Sequence, residues 1–363
     1  MAHYRTALGL GFAFIALVPI SGYAEIPAGY PADYVALVDE AKSEGRVVVH
    51  APIDTAAMTK IIAGFNSVYP DVRVEYTDLN TNVLYNRFIS EVAGGAEAAD
   101  VLWSSALDLQ ANLVADGYAE PYATPEATNL PDWAIWSEGA YGTSFEPFVF
   151  VYNKTMLQDE QLPTGHDDLL ETISDNIDAY GGKVVSYNPE TSGLAFYAVA
   201  SDARFSSEFT DIPRALGLAK SRFSTSAGEL VDLVASGEVA FAYNVPASYA
   251  DRSSSPDIGV IYPDDYIVVL SRLAIINAKA KHPAAAKVFL DYLLSKAGQQ
   301  IVADVGFYSL REDVSSTRSA GALTDAHGDK LKPPAIGTDL LHYLDPTRRL
   351  EFFDTWKKAL AGR

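Results

Sequence analysis

The chain has 363 residues, of which 48% are hydrophobic and 20% charged, enough for two domains of roughly 100–200 residues each. Its 47 acidic and 27 basic residues give a net charge of −20, which repels polyphosphate backbones and argues against a nucleic-acid partner. Cysteine is absent, which excludes disulfides, zinc–thiolate sites, iron–sulfur clusters and thiol nucleophiles.

The first 24 residues have the pattern of a secretory signal peptide. Arg5 precedes an apolar run over 7–20, and Gly22-Tyr23-Ala24 supplies a small-x-small cleavage site. The alternative is a membrane anchor, but the run is shorter than the ~20 residues that a spanning helix needs. We therefore expect cleavage of this segment and a periplasmic location.

From residue 31 onward, the chain alternates between helices and strands. An amphipathic helix ended by Gly45 comes first, and strands over 46–52, 72–79 and 99–105 are each followed by a helix. This alternation predicts βαβ units and a parallel sheet. A long aromatic strand over 143–153 closes this first unit.

The same alternation restarts beyond the aromatic strand. The predicted elements are helices over 166–178, 192–202, 211–222, 226–236 and 246–252, and strands over 183–188, 239–244, 258–263 and 266–278. Residues 282–306 predict two helices with Gly298 between them, and the polar segment 315–335 predicts a surface connection. A last helix has Asp345 as its N-cap and Pro346 at its first position.

This order predicts an α/β protein of two lobes, each a mainly parallel sheet flanked by helices. Extended crossings near 143–152 and 262–270 join the lobes and form a hinge around a cleft. The predicted division of the chain is signal peptide 1–24, first lobe 25–146, second lobe 147–266, and a return to the first lobe with C-terminal helices over 267–363.

Polar residues follow the predicted strands in both lobes. In the first lobe they are His50, Asp54 and Thr55, then Trp103, Ser104 and Ser105; in the second they are Thr191, Ser192 and Gly193, then Tyr243, Asn244 and Tyr249. In open α/β sheets, ligands bind beyond the carboxyl ends of the strands, where helix N-termini offer unpaired N–H groups to anions. We expect the hinge to bring these turns together around a ligand.

Each turn also has a purely structural interpretation. Thr55 and Ser192 can serve only as helix N-caps. Trp103 and Tyr243 can be core aromatics at sheet edges, and His50 can be a buried, hydrogen-bonded histidine. The sequence leaves these alternatives open for each residue taken alone.

Motifs for catalysis and metal binding are not found. The sequence contains no G-x-S-x-G elbow, no H-E-x-x-H and no P-loop, and its six histidines do not have the spacing of metal ligands. We therefore predict a binding protein without enzymatic activity, cofactor or resident metal. A secreted hydrolase is the alternative, since Ser, His and Asp are all present.

Several long runs resemble the bacterial periplasmic solute-binding proteins of ABC importers. The runs are 47–122, 237–250, 266–299 and 305–314, in the order and spacing of the type II group that includes ferric-iron, thiamine, hexose-phosphate and phosphonate binders. The resemblance implies a type II periplasmic-binding-protein fold and a monomer. It implies closure of the lobes on a small-molecule solute, which passes to an ABC permease in the inner membrane. A sensor partner of a membrane histidine kinase is the alternative role.

The sequence departs from the iron-binding branch of this group. That branch uses an adjacent Tyr-Tyr pair, helped by a His and a carboxylate, whereas Val245-Pro246 stand at the position of the pair. Ser104-Ser105 replace the carboxylate, and Asp54 stands where the His is expected. This departure and the polar turns favour a small polar or anionic solute, including a phosphorylated one, over ferric iron.

Two further interpretations concern the charge of the solute. Arg272, at the return crossing, is a candidate counter-charge for an anion, or else forms a salt bridge between the lobes. Trp103, Tyr243 and Tyr249 are candidates for stacking on a cationic heterocycle such as thiamine.

Overall fold

The computed structural model describes residues 29–363, apart from the side chains of residues 338, 339 and 343. The predicted signal peptide lies outside the described residues. Within the described part of the chain, no helix is long and apolar enough to cross a membrane.

The first lobe is built on a six-stranded sheet. Its elements are α1 (Tyr34–Glu44), β1 (Arg46–Ala51), α2 (Thr55–Val68), β2 (Arg73–Asp78), α3 (Thr81–Ala93), β3 (Val101–Ser104), α4 (Leu107–Ala115), β4 (Ile135–Trp136) and β5 (Ala140–Gly142). Strands β2, β1 and β3 are parallel, as the βαβ pattern predicts. Three antiparallel strands complete the sheet: β12 (Leu273–Ile276), which returns from the second lobe, then β5 and β4, so that the order is β2-β1-β3-β12-β5-β4.

The second lobe contains the other sheet. Its elements are β6 (Glu146–Asn153), α5 (Leu169–Asp175), α6 (Ile177–Tyr180), β7 (Val184–Tyr187), α7 (Gly193–Phe205), α8 (Asp211–Leu218), β8 (Arg222–Ser224), α9 (Ala227–Ala235), β9 (Phe241–Pro246), α10 (Ala247–Ala250), β10 (Ile258–Ile261) and β11 (Ile267–Leu270). The strand order is β13-β11-β6-β9-β7-β8, and β10 pairs with β6. The sequence did not predict the short strand β8.

The remainder of the chain starts in the first lobe. Its elements are β12 (Leu273–Ile276), α11 (Pro283–Leu294), α12 (Lys296–Asp304), α13 (Ala320–His327), β13 (Leu331–Lys332) and α14 (Pro346–Leu360). Strand β13 pairs with β11, and α14 packs against α8, so the end of the chain lies with the second sheet. Residues 315–335 lie mostly at the surface between α12 and α14, as their polar sequence predicts, and they also contain helix α13 and strand β13, which the sequence did not predict.

Two adjacent chain crossings form the hinge. Residues 143–145 lead from β5 into β6, and Ser271 with Arg272 leads from β11 back into β12. The crossings are hydrogen-bonded to each other, because the amide of Thr143 donates to the carbonyl of Arg272 at 2.9 Å. The second crossing therefore lies just beyond the predicted 262–270.

Local signals set most helix ends. Gly45 ends α1 in the left-handed region at φ 71°, and the Asp345 side chain caps α14 ahead of Pro346, so both predictions are confirmed. The predicted helix break at Gly298 is wrong, because the break falls at Ser295, the N-cap of α12. Gly298 lies inside that helix, where a Cβ would come within 1.9 Å of the Tyr292 carbonyl oxygen.

Candidate functional site

A cleft of about 590 Å³ lies between the two lobes. The first lobe contributes the turns that follow β1, β2 and β3, and the second contributes those that follow β7 and β8 together with α10. The carboxyl ends of parallel strands from both sheets therefore meet at one cavity, which is where open α/β sheets bind ligands.

Two helices from each lobe begin at this cleft. Each has a polar N-cap that lines the cavity and accepts a hydrogen bond from the first turn: Asp54 from Ala57 N (2.9 Å), Asn80 from Asn82 N (3.0 Å), Ser192 from Ala195 N (3.3 Å) and Ser226 from Glu229 N (3.3 Å). The capping oxygens satisfy only one amide of each first turn. The remaining N–H groups and the partial positive charge of each helix start are directed toward the cleft.

The lobes touch along the cleft, so the structure is a closed arrangement. The Arg252 guanidinium of the second lobe lies 2.9 Å from the Asp54 carboxylate of the first. The Asn82 side-chain amide donates to the Thr191 carbonyl at 3.0 Å. Both contacts join residues that must separate when the hinge opens.

Gly193 makes a third contact between the lobes. It is the first residue of α7, and a Cβ on it would lie 2.7 Å from the Cβ of Ala106, just before α4. The absence of a side chain there lets the second lobe approach the first, which is a different role from the predicted approach of a ligand to the backbone.

Carboxylates and one arginine set the charge of the cleft. Asp54 and Asp78 line the side of the first lobe, and Asp232 and Arg252 line the side of the second. Partial burial, reinforced by the charge of Asp54, raises the pKa of Asp78. The first-lobe wall therefore attracts hydrogen-bond donors or positive charge, and Arg252 is held between the Asp54 carboxylate and the Tyr249 ring.

Two tyrosines supply aromatic surface. Tyr187 is the last residue of β7 and is almost fully buried, and Tyr249 lies on α10 with the Arg252 guanidinium 4.5 Å from its ring centroid. Burial raises the pKa of Tyr187 well above its ordinary value, and the neighbouring Tyr249 adds to the rise. The phenol of Tyr187 is therefore a neutral hydrogen-bonding group at neutral pH.

The model of the bacterial extracellular solute-binding protein family matches residues 51–300. The chain belongs to this family. The family and the fold are those of solute-binding proteins rather than enzymes. No curated protein has a significant match to the sequence.

Solved structures agree with this assignment. The substrate binding protein of the ABC transporter from Agrobacterium tumefaciens is similar at 30% identity and a TM-score of 0.82, over 87% of this chain and 94% of that one. Iron-bound HitA from Pseudomonas aeruginosa (19% identity, TM-score 0.69, 86% and 99% covered) shares the fold. So does AfuA from Actinobacillus pleuropneumoniae with fructose-6-phosphate (18%, 0.70, 87% and 98%). The predicted two-lobed periplasmic-binding-protein fold is confirmed, but each sheet is mixed rather than mainly parallel, because the crossing strands β12 and β6 pair antiparallel with their neighbours.

Within this solute-binding protein, several predicted site residues do lie at the cleft. Asp54, Ser105, Ser192 and Tyr249 line it. Thr55, the first residue of α2, directly follows the capping Asp54. Thr191 and Gly193 form the contacts between the lobes described above. The structure thus brings these residues together, and their binding of a solute stays a prediction.

Other predicted residues of the first lobe lie within the protein. The Trp103 indole N–H donates to the Thr143 hydroxyl at 2.7 Å, and the Ser104 hydroxyl accepts from the amide of Ala106 at 3.2 Å. His50 is 3% exposed, and burial, reinforced by the charge of Arg87, lowers its pKa. The contacts of Trp103 and Ser104 favour their structural interpretation. His50 is buried as that interpretation requires, but its Nδ1 has no hydrogen-bond partner among the described residues, so the expected hydrogen bond is not found at that atom.

Tyr243 and Asn244 are also enclosed. The Tyr243 hydroxyl donates to the Asp202 carboxylate at 2.8 Å, and the Asn244 side-chain amide donates to the same carboxylate at 2.7 Å. Tyr243 is fully buried and Asn244 is 2% exposed. This pair holds the middle of β9 to α7 and does not line the cleft.

Arg272 lies beneath the cleft, in the hinge. Its guanidinium forms an ion pair with Glu146 at 2.8 Å and donates to the carbonyl of the cleft residue Pro52 at 3.4 Å. Arg272 is 1% exposed, so it presents no accessible counter-charge to a solute. Of the two predicted roles, the structure favours a salt bridge at the junction of the lobes.

Two of the five strand-end turns that form the cleft, those after β2 and β8, were not predicted from the sequence. The turn Asp78-Leu79-Asn80-Thr81 has the same pattern of strand, polar turn and helix start as the turns that were chosen, so the signal was present. The turn Thr225–Gly228 was missed because the three-residue strand before it was not predicted. Arg252 was missed because nothing local indicates that it reaches Asp54. Thr81 is also buried, and its hydroxyl has no hydrogen-bond partner among the described residues.

Proposed function

We propose that this chain is the extracytoplasmic solute-binding subunit of an ABC transporter, which captures a small polar or anionic solute in the cleft and delivers it to a permease. The observation that carries the proposal is the convergence of four capped helix starts, two from each lobe, on one closed cavity. Export through the signal peptide of residues 1–24 would place the protein in the periplasm, as its family membership favours.

The anionic group of the solute is assigned to the second lobe. The starts of α7 and α9 both face the cavity there, with Ser192 and Ser226 as their caps. Each capping oxygen already accepts an amide hydrogen, which leaves the hydroxyl hydrogen free to donate to a carboxylate or phosphate. Arg252 adds a full positive charge, and an anion would compete with Asp54 for it.

The rest of the solute is assigned to the first lobe. Asp54 and Asp78 accept hydrogen bonds there, so a group rich in hydroxyls or amines is favoured opposite the anion. A phosphorylated sugar has this polarity, with an anionic end and a hydroxyl-rich end. AfuA, with its bound fructose-6-phosphate, supports the fold only, so the assignment of the solute class depends on the chemistry of the cleft.

The second candidate is a cationic heterocycle of the thiamine type. The two cleft tyrosines, Tyr187 and Tyr249, together with Asp54, Asp78 and Asp232, favour it, because aromatic faces and carboxylates both attract a delocalised cation. Trp103 and Tyr243, which the sequence suggested for such stacking, lie outside the cleft. Tyr187 takes their place beside Tyr249 in this candidate.

Calorimetric titration of the purified protein with glucose 6-phosphate and with thiamine separates the two candidates. Ser192→Ala should weaken glucose 6-phosphate binding about tenfold or more, because it removes a donor to a charged group. Ser295→Ala is the matched control: Ser295 is also a buried N-cap, accepting from Gly298 N at 3.1 Å, but it lies outside the cleft. Both variants should lose about 0.5–2 kcal/mol of stability.

Two results of these titrations would contradict the assignment of an anionic solute to Ser192. Binding of thiamine alone, weakened by Asp78→Asn and not by Ser192→Ala, would transfer the assignment to the second candidate. Equal affinities of Ser192→Ala and Ser295→Ala for the bound solute would show that Ser192 is only a cap.

A further inference from the structure

The last 33 residues contact both lobes. We call residues 331–363 the C-terminal strap. It starts on the second lobe, where β13 pairs with β11, and it ends there, where α14 packs against α8. The Leu360 carbonyl oxygen comes so close to Gly217 that a Cβ at that position would lie 2.0 Å away. Both ends of the strap are therefore fixed to the second lobe.

The middle of the strap lies on the first lobe. The turn of 3-10 helix at Thr338–Leu344 lies against α4. Just before it, Gly337 faces the Trp136 indole of β4, and a Cβ there would lie 3.9 Å from the ring. The strap thus leaves the second lobe, crosses to the first and returns, in addition to the two crossings of the hinge.

An ion pair joins the strap to the first lobe. The Arg349 guanidinium of α14 lies 3.3 Å from the Asp108 carboxylate in the first turn of α4. On its own lobe, Arg349 is held 3.8 Å above the Phe196 ring of α7. Asp108 in turn belongs firmly to the first lobe, because Gln110 of the same helix donates to the carbonyls of Leu102 and Leu273 in its sheet.

The two partners of this ion pair are buried to different degrees. Asp108 is 5% exposed, whereas the Arg349 side chain is 32% exposed. Burial raises the pKa of Asp108, and the charge of Arg349 acts against the rise. A buried carboxylate without its cation is strongly disfavoured, so loss of Arg349 penalises the closed arrangement, in which Asp108 is covered, more than an open one.

We propose that the C-terminal strap stabilises the closed arrangement of the lobes and that Arg349 is a positioning residue that sets solute affinity without touching the solute. A solute-binding protein binds tightly only in its closed state, so its affinity depends on the fraction of molecules that can close. The proposal about affinity rests on the proposed function, whereas the proposal about closure does not.

The closure can be measured without any solute. The sequence has no cysteine, so Lys60→Cys and Glu171→Cys add two unique sites for spin labels on exposed positions of α2 and α5, one in each lobe. Pulsed electron–electron double resonance then gives the distribution of distances between the lobes. In the Arg349→Gln variant, the ratio of open to closed molecules should rise about five- to tenfold.

Two further variants make the test decisive. Lys357→Gln is the matched control: it removes another cation of α14, whose partner Glu190 at 2.7 Å is on the same lobe, and the distances should stay as in the unsubstituted chain. Asp108→Asn breaks the same pair from the other lobe; it should shift the distances in the same direction as Arg349→Gln but less, because it leaves no buried carboxylate uncompensated and the remaining Arg349 is partly exposed. Thermal unfolding of each variant reports its stability.

The outcomes are distinct. If Arg349→Gln and Asp108→Asn lower the melting temperature but leave the distances unchanged, the strap is only part of the fold of the second lobe and the proposal is wrong. If the distances shift while neither glucose 6-phosphate nor thiamine binds to the unsubstituted protein, the strap is supported and only its link to affinity fails. If one of the two solutes binds, its affinity should fall with the closed fraction.

Discussion

Arg272 and Glu146 form a buried, two-point ion pair at the centre of the hinge. Arg272 Nε lies 2.8 Å from Glu146 Oε1, and Nη2 lies 3.2 Å from Oε2. Burial alone would raise the pKa of Glu146, but the Arg272 charge and the hydroxyls of Ser248 and Ser144 outweigh it and lower that pKa. Both chain crossings thus meet at one network in which hydroxyl groups and Arg272 donate hydrogen bonds to the Glu146 carboxylate.

The hinge pair predicts a strong loss of stability when one partner is removed. Arg272→Met should lower the free energy of unfolding by about 3–5 kcal/mol, because Glu146 is left as an uncompensated buried charge. The double variant Glu146→Gln/Arg272→Met should recover part of this loss. Urea unfolding measures both, and a single variant as stable as the unsubstituted protein would show that the pair is not buried as described.

The contact between Gly193 and Ala106 predicts that Gly193→Ala prevents full closure. The added methyl would lie 2.7 Å from the Ala106 Cβ, so the lobes must stay apart or the backbone must shift. Gly228→Ala is the control, since its nearest neighbour is the Ser226 hydroxyl at an ordinary 3.7 Å. Spin-label distances between the lobes should lengthen for Gly193→Ala alone; equal distances in both variants would exclude a steric limit at this contact.

Much of the fold follows from local sequence signals. The alternation of apolar runs and capped helices predicted the parallel strands β1, β2 and β3 of the first sheet and β7 and β9 of the second, because most of these strands are apolar runs that are visible locally in the sequence. The caps at Gly45 and Asp345 depend on residues within one turn, so they too were predictable. The cleft turns after β1, β3 and β7 were found for the same reason.

The predictions that failed concern residues whose structural role depends on contacts that the local sequence does not show. Arg272 was a candidate ligand because its partner Glu146, 126 positions away, is not visible to local reasoning. Gly298 was predicted to break a helix, but it lies inside a helix, at a position where the Tyr292 carbonyl leaves no room for a side chain. Tyr243 was assigned to the ligand because the local sequence does not reveal its hydrogen-bond partner, Asp202, which is fully buried on another element.

A buried carboxylate in the first lobe predicts a pH dependence of stability. Asp291 accepts hydrogen bonds from the hydroxyls of Tyr34 (2.9 Å), Tyr122 (2.6 Å) and Thr124 (2.6 Å). Burial nevertheless raises its pKa from 3.8 to about 6. Since the folded protein holds this proton more tightly than the unfolded chain, the contribution of Asp291 to stability is fully present below pH 4 and is lost as the pH rises through about 6.

Asp291→Asn isolates this contribution, because the variant has no proton to release at the site. The difference in free energy of unfolding between the unsubstituted protein and Asp291→Asn should favour the unsubstituted protein by about 2–3 kcal/mol more at pH 4 than at pH 7. Urea unfolding at pH 4, 5, 6 and 7 measures it. A difference that is constant across this range would contradict the raised pKa.

The cleft chemistry predicts no tight ferric-iron binding of the tyrosinate type. Tyr243 is fully buried, and its hydroxyl donates a hydrogen bond to the Asp202 carboxylate. Burial raises the pKa of Tyr243 well above the ordinary value. Tyr187 is likewise held neutral by burial. Addition of ferric citrate should therefore give no visible charge-transfer band beyond that of ferric citrate alone. A strong band that disappears in Tyr243→Phe or Tyr249→Phe would overturn this prediction.

Native mass spectrometry of the protein purified from the periplasm tests the account most directly. We expect a complex with one small polar or anionic molecule per chain, released on unfolding and identified by its mass. The bound fraction should be lower in Ser192→Ala and Arg252→Gln and unchanged in Ser295→Ala. A ligand retained equally by all three variants, or a chain that carries no solute and takes up neither glucose 6-phosphate nor thiamine, would contradict the assignment of the cleft as the binding site for such a solute.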